Sequence, residues 1–253
     1  ISLTSSEEVL IVGNTRSYDI PVPNGYDTSL NGDGDIYIAK LSSSGNSLLY
    51  ASFIGGRGWD SASSLVSDSL GNVVIAGITG SRDIPVLNGY CTSFNGGYFD
   101  IYVAKLSPSG NSILWGTYIG GGNREAAEDM SLDSLGNVAI AGFTDSSDIP
   151  VPNGCDTSYN GGEADIYVAK LSSSGNSLLW GTYIGGSNDD FFSAISLDSL
   201  GNVVIAGVTN SSNIPVPNGY DTSLNDPGRF DIYVAKLSSF GDCLLWGTYI
   251  GGW

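Results

Sequence analysis

Asp35-Ile36-Tyr37-Ile38-Ala39-Lys40-Leu41-Ser42 decides the fold, because the chain writes this string four times. Copies open again at Asp100, Asp165 and Asp231 with Val in the fourth position, so the spacings are 65, 65 and 66 residues. Self-similarity at a fixed period marks a repeat architecture. It also bears on function. An active site needs different residues converging once, whereas a fourfold repeat offers four similar surfaces suited to architecture or multivalent binding.

Outward from the fourth copy, the pattern predicts four strands per repeat. Ala194 to Asn210 holds two short apolar runs around Ser199-Leu200-Gly201-Asn202, a hairpin with Gly and Asn at its turn. Ile214 to Gly228 carries two Val-flanking prolines, an Asn-Gly and an Asp226-Pro227-Gly228, and is a loop. Asp231–Leu237 and Cys243–Gly252 form a second hairpin around a Ser-Ser-Phe-Gly-Asp turn. Without its loop the unit has the size of a four-stranded propeller blade. Val203-Val204-Ile205-Ala206 is a continuous apolar run, as expected of a strand covered on both faces. The expected fold is therefore all-β, a β-propeller of four four-stranded blades in a single domain over residues 1–253. The blades are 1–56, 57–121, 122–186 and 187–253, the last ending at Trp253. A closed four-bladed ring is favoured over part of a larger one completed by further sequence or a second copy.

The motifs S-L-D-S-L-G-N-V-V-I-A-G-V-T-N-S-S, Y-D-T-S-L-N, D-I-Y-V-A-K-L-S and S-L-L-W-G-T-Y-I-G-G resemble the SBBP family of β-propeller repeats. The likeness runs through nearly the whole chain. It implies repeats of secreted or surface-attached proteins, with no enzymatic activity and no catalytic residues to carry over. The first repeat departs from it, with Ser5-Ser6-Glu7-Glu8 where the others have Ser-Leu-Gly-Asn, so its first turn is expected to differ.

Composition narrows the function further. With 26 acidic and 9 basic residues the net charge is −17, which argues against nucleic acid or an anionic membrane surface as partner. No apolar run approaches the ~20 residues that cross a bilayer as a helix. Histidine is absent, which removes Ser-His-Asp and Cys-His nucleophilic machinery. The three cysteines, Cys91, Cys155 and Cys243, show no C-x-x-C spacing. Cys91 and Cys155 sit in equivalent loops, and both a bridge and unpaired thiols fit the sequence. The chain opens on Ile1 and reads as a mature or excised fragment. Its Ser-, Gly-, Asn- and Thr-rich polar positions point to an extracellular or cell-surface location.

The invariant polar and aromatic positions read as structural. All four lysines, Lys40, Lys105, Lys170 and Lys236, recur at one place, and Asp68, Asp133 and Asp198 are their expected partners. The first repeat has Thr4 instead. Tyr50, Trp115, Trp180 and Trp246 are expected between blades, as are Tyr37, Tyr102, Tyr167 and Tyr233. Asn31, Asp33 and Asp35 alternate like oxygen ligands of calcium. The alternation occurs once, and side-chain capping of a tight turn explains it, so no cofactor is expected and calcium is only the alternative.

Variation concentrates after each Gly-Gly. Arg57, Trp59 and Asp60 stand there in one repeat, Arg124 and Glu125 in the next, and Asp189, Asp190 and Phe191 in the third. Loops at that position lie on one propeller face, where ligands commonly bind. These eight residues are the candidate binding site. The expected function is non-catalytic, in structure, adhesion or protein–protein assembly, with a protein or a second copy as partner. The alternatives are a lectin with one weak site per blade, or a glycoside-active enzyme using two of the acids.

Overall fold

The computed structural model describes residues 1–226 and 228–252; Pro227 of the Asp-Pro-Gly turn and Trp253 lie outside them. Among the described residues the chain is all-β and has no helix. It forms four antiparallel four-stranded sheets, each a simple meander in chain order, and these are the blades of a β-propeller. The first holds β1 (Ser2–Leu3), β2 (Val9–Thr15), β3 (Asp35–Leu41) and β4 (Leu48–Ile54). The second holds β5 (Asp60–Ser67), β6 (Val73–Thr79), β7 (Asp100–Leu106) and β8 (Ile113–Ile119). The third holds β9 (Glu125–Leu132), β10 (Val138–Thr144), β11 (Asp165–Leu171) and β12 (Leu178–Ile184). The fourth holds β13 (Asp190–Leu197), β14 (Val203–Thr209), β15 (Asp231–Leu237) and β16 (Leu244–Ile250).

Two compact units divide the chain. One comprises Ile1–Gly120 with Ser174–Ser177, the other Gly121–Ser173 with Leu178–Trp253. In the first unit, Ile36, Ile38 and Ile54 of blade 1 form one core with Val73 and Ile75 of blade 2. In the second, Ile166, Val168 and Ile184 of blade 3 do the same with Val203 and Ile205 of blade 4. This is why the inner strands read as continuous apolar runs: β6, β7, β10 and β11 are buried on both faces.

The recurrent tyrosines hold the long loops to the sheets. The hydroxyls of Tyr37, Tyr102, Tyr167 and Tyr233 donate to the carbonyls of Pro21, Pro85, Pro150 and Pro215 at 2.6–2.7 Å. Those of Tyr118, Tyr183 and Tyr249 donate to Ser81, Ser146 and Ser211. Such rings bring large apolar area and keep a polar tip that must find a partner when buried.

The lysine pairing holds in every blade. Lys105, Lys170 and Lys236 meet Asp68, Asp133 and Asp198 at 2.7, 2.9 and 2.7 Å. Each aspartate also accepts from its own turn, Asp133 from the N–H groups of Leu135 and Asn137 and from the Asn137 amide. The first turn does differ. Thr4 caps it by accepting from the Glu8 N–H, Glu7 takes a left-handed φ of 60°, and Glu8 supplies the carboxylate for Lys40. A carboxylate four residues along has replaced the missing aspartate.

The three cysteines are free. Cys91 Sγ lies 3.2 Å from the Ser93 carbonyl and Cys155 Sγ 3.4 Å from Thr182 Oγ1. Each is engaged locally, and the Cys91–Cys155 bridge is not formed.

Candidate functional site

The acids after each Gly-Gly are buried and hydrogen-bonded within the fold. Asp60, Glu125 and Asp190 open β5, β9 and β13 and are fully buried. Asp60 accepts from the hydroxyls of Thr79 and Ser81 and from the Gly56 N–H. Glu125 accepts from Thr144 and the Gly121 N–H, and Asp190 from Ser211 and the Gly186 N–H. The carboxylate ties the Gly-Gly turn to the end of the neighbouring strand. That is a physical reason for its recurrence, and it places these three candidate binding residues in the interior of the fold. Burial pushes the carboxyls of Asp60 and Asp190 up, against the opposing effect of these bonds.

Their variable neighbours also have local partners. Arg57 is exposed and its Nε lies 3.5 Å from Asp83 Oδ2. Trp59 is half-buried with the Arg16 guanidinium 4.7 Å above its ring. Arg124 lies over Phe143 and beside Asp145. Asp189 accepts from the Glu163 N–H, and Phe191 stacks on Phe230 at 5.9 Å between centroids. A shallow cleft of about 430 Å³ lies between Arg57 and Arg82 in the first unit.

Hydrogen bonds within the loop engage two of the three residues of the calcium-like alternation, and Asp27 just before them forms an Asx turn by accepting from the Ser29 N–H. Asp35 Oδ2 accepts from the Asn31 N–H, and the Asn31 amide donates to Asp27. Among the described residues no group of three or more Cys, Asp or Glu side chains comes together as a metal would need.

A larger cleft opens at the hairpin ends of the second unit. It holds about 840 Å³ and is bordered by Leu135, Leu179, Trp180, Leu200 and Phe240. Leu135, Leu200 and Phe240 are 77%, 78% and 74% exposed. Leu135 and Leu200 crown turns whose backbone is fixed by Asp133 and Asp198, and Phe240 crowns a turn closed by backbone bonds between Ser238 and Cys243 and between Gly241 and Ser238. The Lys170–Asp133 pair lies along the cleft, with Asp242 at its edge. An exposed apolar rim over a polar floor is a form that protein partners use. Sequence reasoning passed over these residues. The available signal was leucine at a turn tip, where polar residues are the rule, in three repeats: Leu70, Leu135 and Leu200.

Residues 179–215 match the SBBP family, described as a β-propeller repeat. The match falls on β12 through β14 and bears out the resemblance read from the repeats. The chain is also similar to an uncharacterized WD repeat-containing protein of Acanthamoeba polyphaga mimivirus, 28% identical over 165 aligned positions. That alignment takes in 59% of this chain and 11% of the viral protein's length.

Proposed function

We propose that the chain is a non-catalytic, protein-binding β-propeller working outside the cell or at its surface. The apolar rim of Leu135, Leu200 and Phe240 around the second unit's cleft carries this reading. Large apolar side chains held at rigid hairpin tips cost solvation and gain nothing for the fold, so a partner that covers them accounts for their presence. The similarity to a protein named for WD repeats supports a propeller that serves as a binding platform. The net charge of −17 and Asp242 at the rim favour a partner segment with apolar anchors flanked by Lys or Arg. A lectin would need an exposed aromatic beside Asp60 or Asp190, and a glycosidase two accessible carboxylates; these acids are buried.

Panning a displayed-peptide library on the chain tests the reading. Peptides with apolar anchors and basic flanks are expected to be enriched, and to bind Leu200→Ser and Phe240→Ser about tenfold more weakly or less. Peptides that bind both variants as tightly as the parent would sink the cleft as the site. Binding on a glycan array with no peptide selected would favour the lectin instead.

A further inference from the structure

The loop after each Gly-Gly lies against the Thr-x-Ser at the end of β6, β10 or β14, and three blades build this joint on one plan. The N–H groups of Gly80, Asp145 and Asn210 donate to the carbonyls of Trp59, Arg124 and Asp189 at 2.8, 3.1 and 3.2 Å. Those of Arg57, Gly122 and Ser187 donate to the side chains of Asp83, Asp148 and Asn213. Those of Gly58, Asn123 and Asn188 donate to the hydroxyls of Ser81, Ser146 and Ser211.

Blades 3 and 4 complete the joint with side chains that blade 2 lacks. Asp145 Oδ1 accepts from the Arg124 N–H at 2.6 Å, and Asn210 Oδ1 from the Asp189 N–H at 2.8 Å. The Asn123 and Asn188 amides donate to the Asp145 and Asn210 carbonyls. Blade 2 has glycine at both positions, Gly58 and Gly80. The Trp59 N–H is therefore without the oxygen that Arg124 and Asp189 receive, and the cleft of about 430 Å³ opens beside Gly58, Gly80 and Ser81. Arg57 and Arg82 flank it, where blade 3 has Gly122 and Ser147 and blade 4 has Ser187 and Ser212. The Arg57 side chain is 92% exposed. Arg82, also exposed, lies 5.8 Å from the Phe94 ring centroid. Asp83 is the one acid of the lining and already accepts from the Arg57 N–H. Two guanidinium groups thus face one carboxylate, in a chain whose lysines are all held in ion pairs.

We propose that this cleft binds the carboxylate of a small acid. Blade 3 names the group, because its own Asp145 carboxylate fills the equivalent place. There the Arg124 N–H meets Oδ1, and the Arg124 Nε lies 3.6 Å from Oδ2. A guest carboxylate in blade 2 takes the Trp59 N–H in the same way, while Arg57 and Arg82 supply charge-assisted bonds. The surplus of one positive charge in the lining matches a single carboxylate, and the net charge of −17 turns polyanions away. The site shares no residue with the apolar-rimmed cleft and stands apart from the peptide-binding reading.

Titrating propionate into isotope-labelled chain, with backbone N–H and arginine Nε–H signals followed by NMR, tests it. The Trp59 N–H and the Arg57 and Arg82 Nε–H signals are expected to move saturably. The N–H signals of Arg124 and Asp189, already capped, are expected to stay still, and the neutral ester methyl propionate to move none of them. Gly80→Asp installs the carboxylate that blade 3 carries, and its Cβ meets neighbours at an ordinary 3.4 Å. It is expected to fold and to lose the response. Arg57→Ser and Arg82→Ser, which copy blade 4 at exposed positions, are each expected to weaken propionate about tenfold. A parent with no saturable shift overturns the proposal. So do Arg124 and Asp189 signals that move as far as that of Trp59, or serine variants that bind as tightly as the parent. Inorganic phosphate binding more tightly than propionate would overturn the carboxylate assignment.

Discussion

Lys170 and Asp133 form the most buried of the four lysine–carboxylate pairs, with side chains 5% and 9% exposed. Burial pushes the Asp133 carboxyl up, but bonds from Lys170 and Asn137 outweigh it and hold it below the usual range. Lys170→Ala would leave that charge buried without its cation, and should cost about 3 kcal/mol. Lys236→Ala should cost clearly less, because Lys236 and Asp198 are 24% and 26% exposed and water can take over. Urea midpoints of the two variants give the comparison; equal losses would mean that the lysine stems matter more than the charges. The lysine–aspartate pairing was legible because both partners recur in register. Glu8 as the substitute for Asp68 was not, since it stands four residues from the equivalent position and only the folded hairpin brings it to Lys40.

Between strands and sheets, the turn glycines set how closely one hairpin lies over another's aromatic ring. Gly110→Ala combines a left-handed backbone, about 1–2 kcal/mol for an L-residue, with overlap on the buried Tyr50 ring, about 1–3 kcal/mol. Gly45→Ala meets only the first cost, because none of the described residues lies within 4 Å of its Cβ. Denaturation at dilutions where the chain is monomeric should therefore rank Gly110→Ala well below Gly45→Ala in stability. Equal losses would remove the ring contact as a contributor. The strands themselves were plain in the sequence, as alternation and β-branching specify a pleated surface locally. The role of Asp60, Glu125 and Asp190 was not. An acid in a variable loop looks like a ligand until the fold shows it turned inward onto Thr-x-Ser hydroxyls from 19 and 21 residues away. The same holds for Leu135 and Leu200, whose exposure depends on which way a turn tip faces.

Over the molecule as a whole, the buried carboxyls that open β3, β7 and β11 set the response to pH. Asp35, Asp100 and Asp165 are fully buried, and Oδ1 of each has no hydrogen-bond partner among the described residues. Burial, countered by bonds from the Asn95 or Asn160 backbone, pushes Asp100 up to about 6 and Asp165 up to about 7. Asp35, Asp60 and Asp190 move the same way. Between about pH 4, where unfolded aspartates titrate, and these raised values, the native chain holds protons that the unfolded chain has released. Stability in that window falls as pH rises. The lysine-paired Asp68, Asp133 and Asp198 have lowered values and oppose this only at the acid end, contributing stability above about pH 4 and losing it below. The growing negative charge, −17 at pH 7, adds repulsion in the same direction as the buried acids. Thermal melting across pH 3 to 8 should therefore peak near pH 4–5 and decline toward pH 7. Asp165→Asn places a permanent neutral group where the native acid holds its proton, so the variant should lose part of that decline between about pH 5 and 7. A melting temperature that climbs steadily from pH 4 to 7, or an Asp165→Asn profile parallel to the parent's, would show these carboxyls ionised inside the fold, held by interactions stronger than their burial.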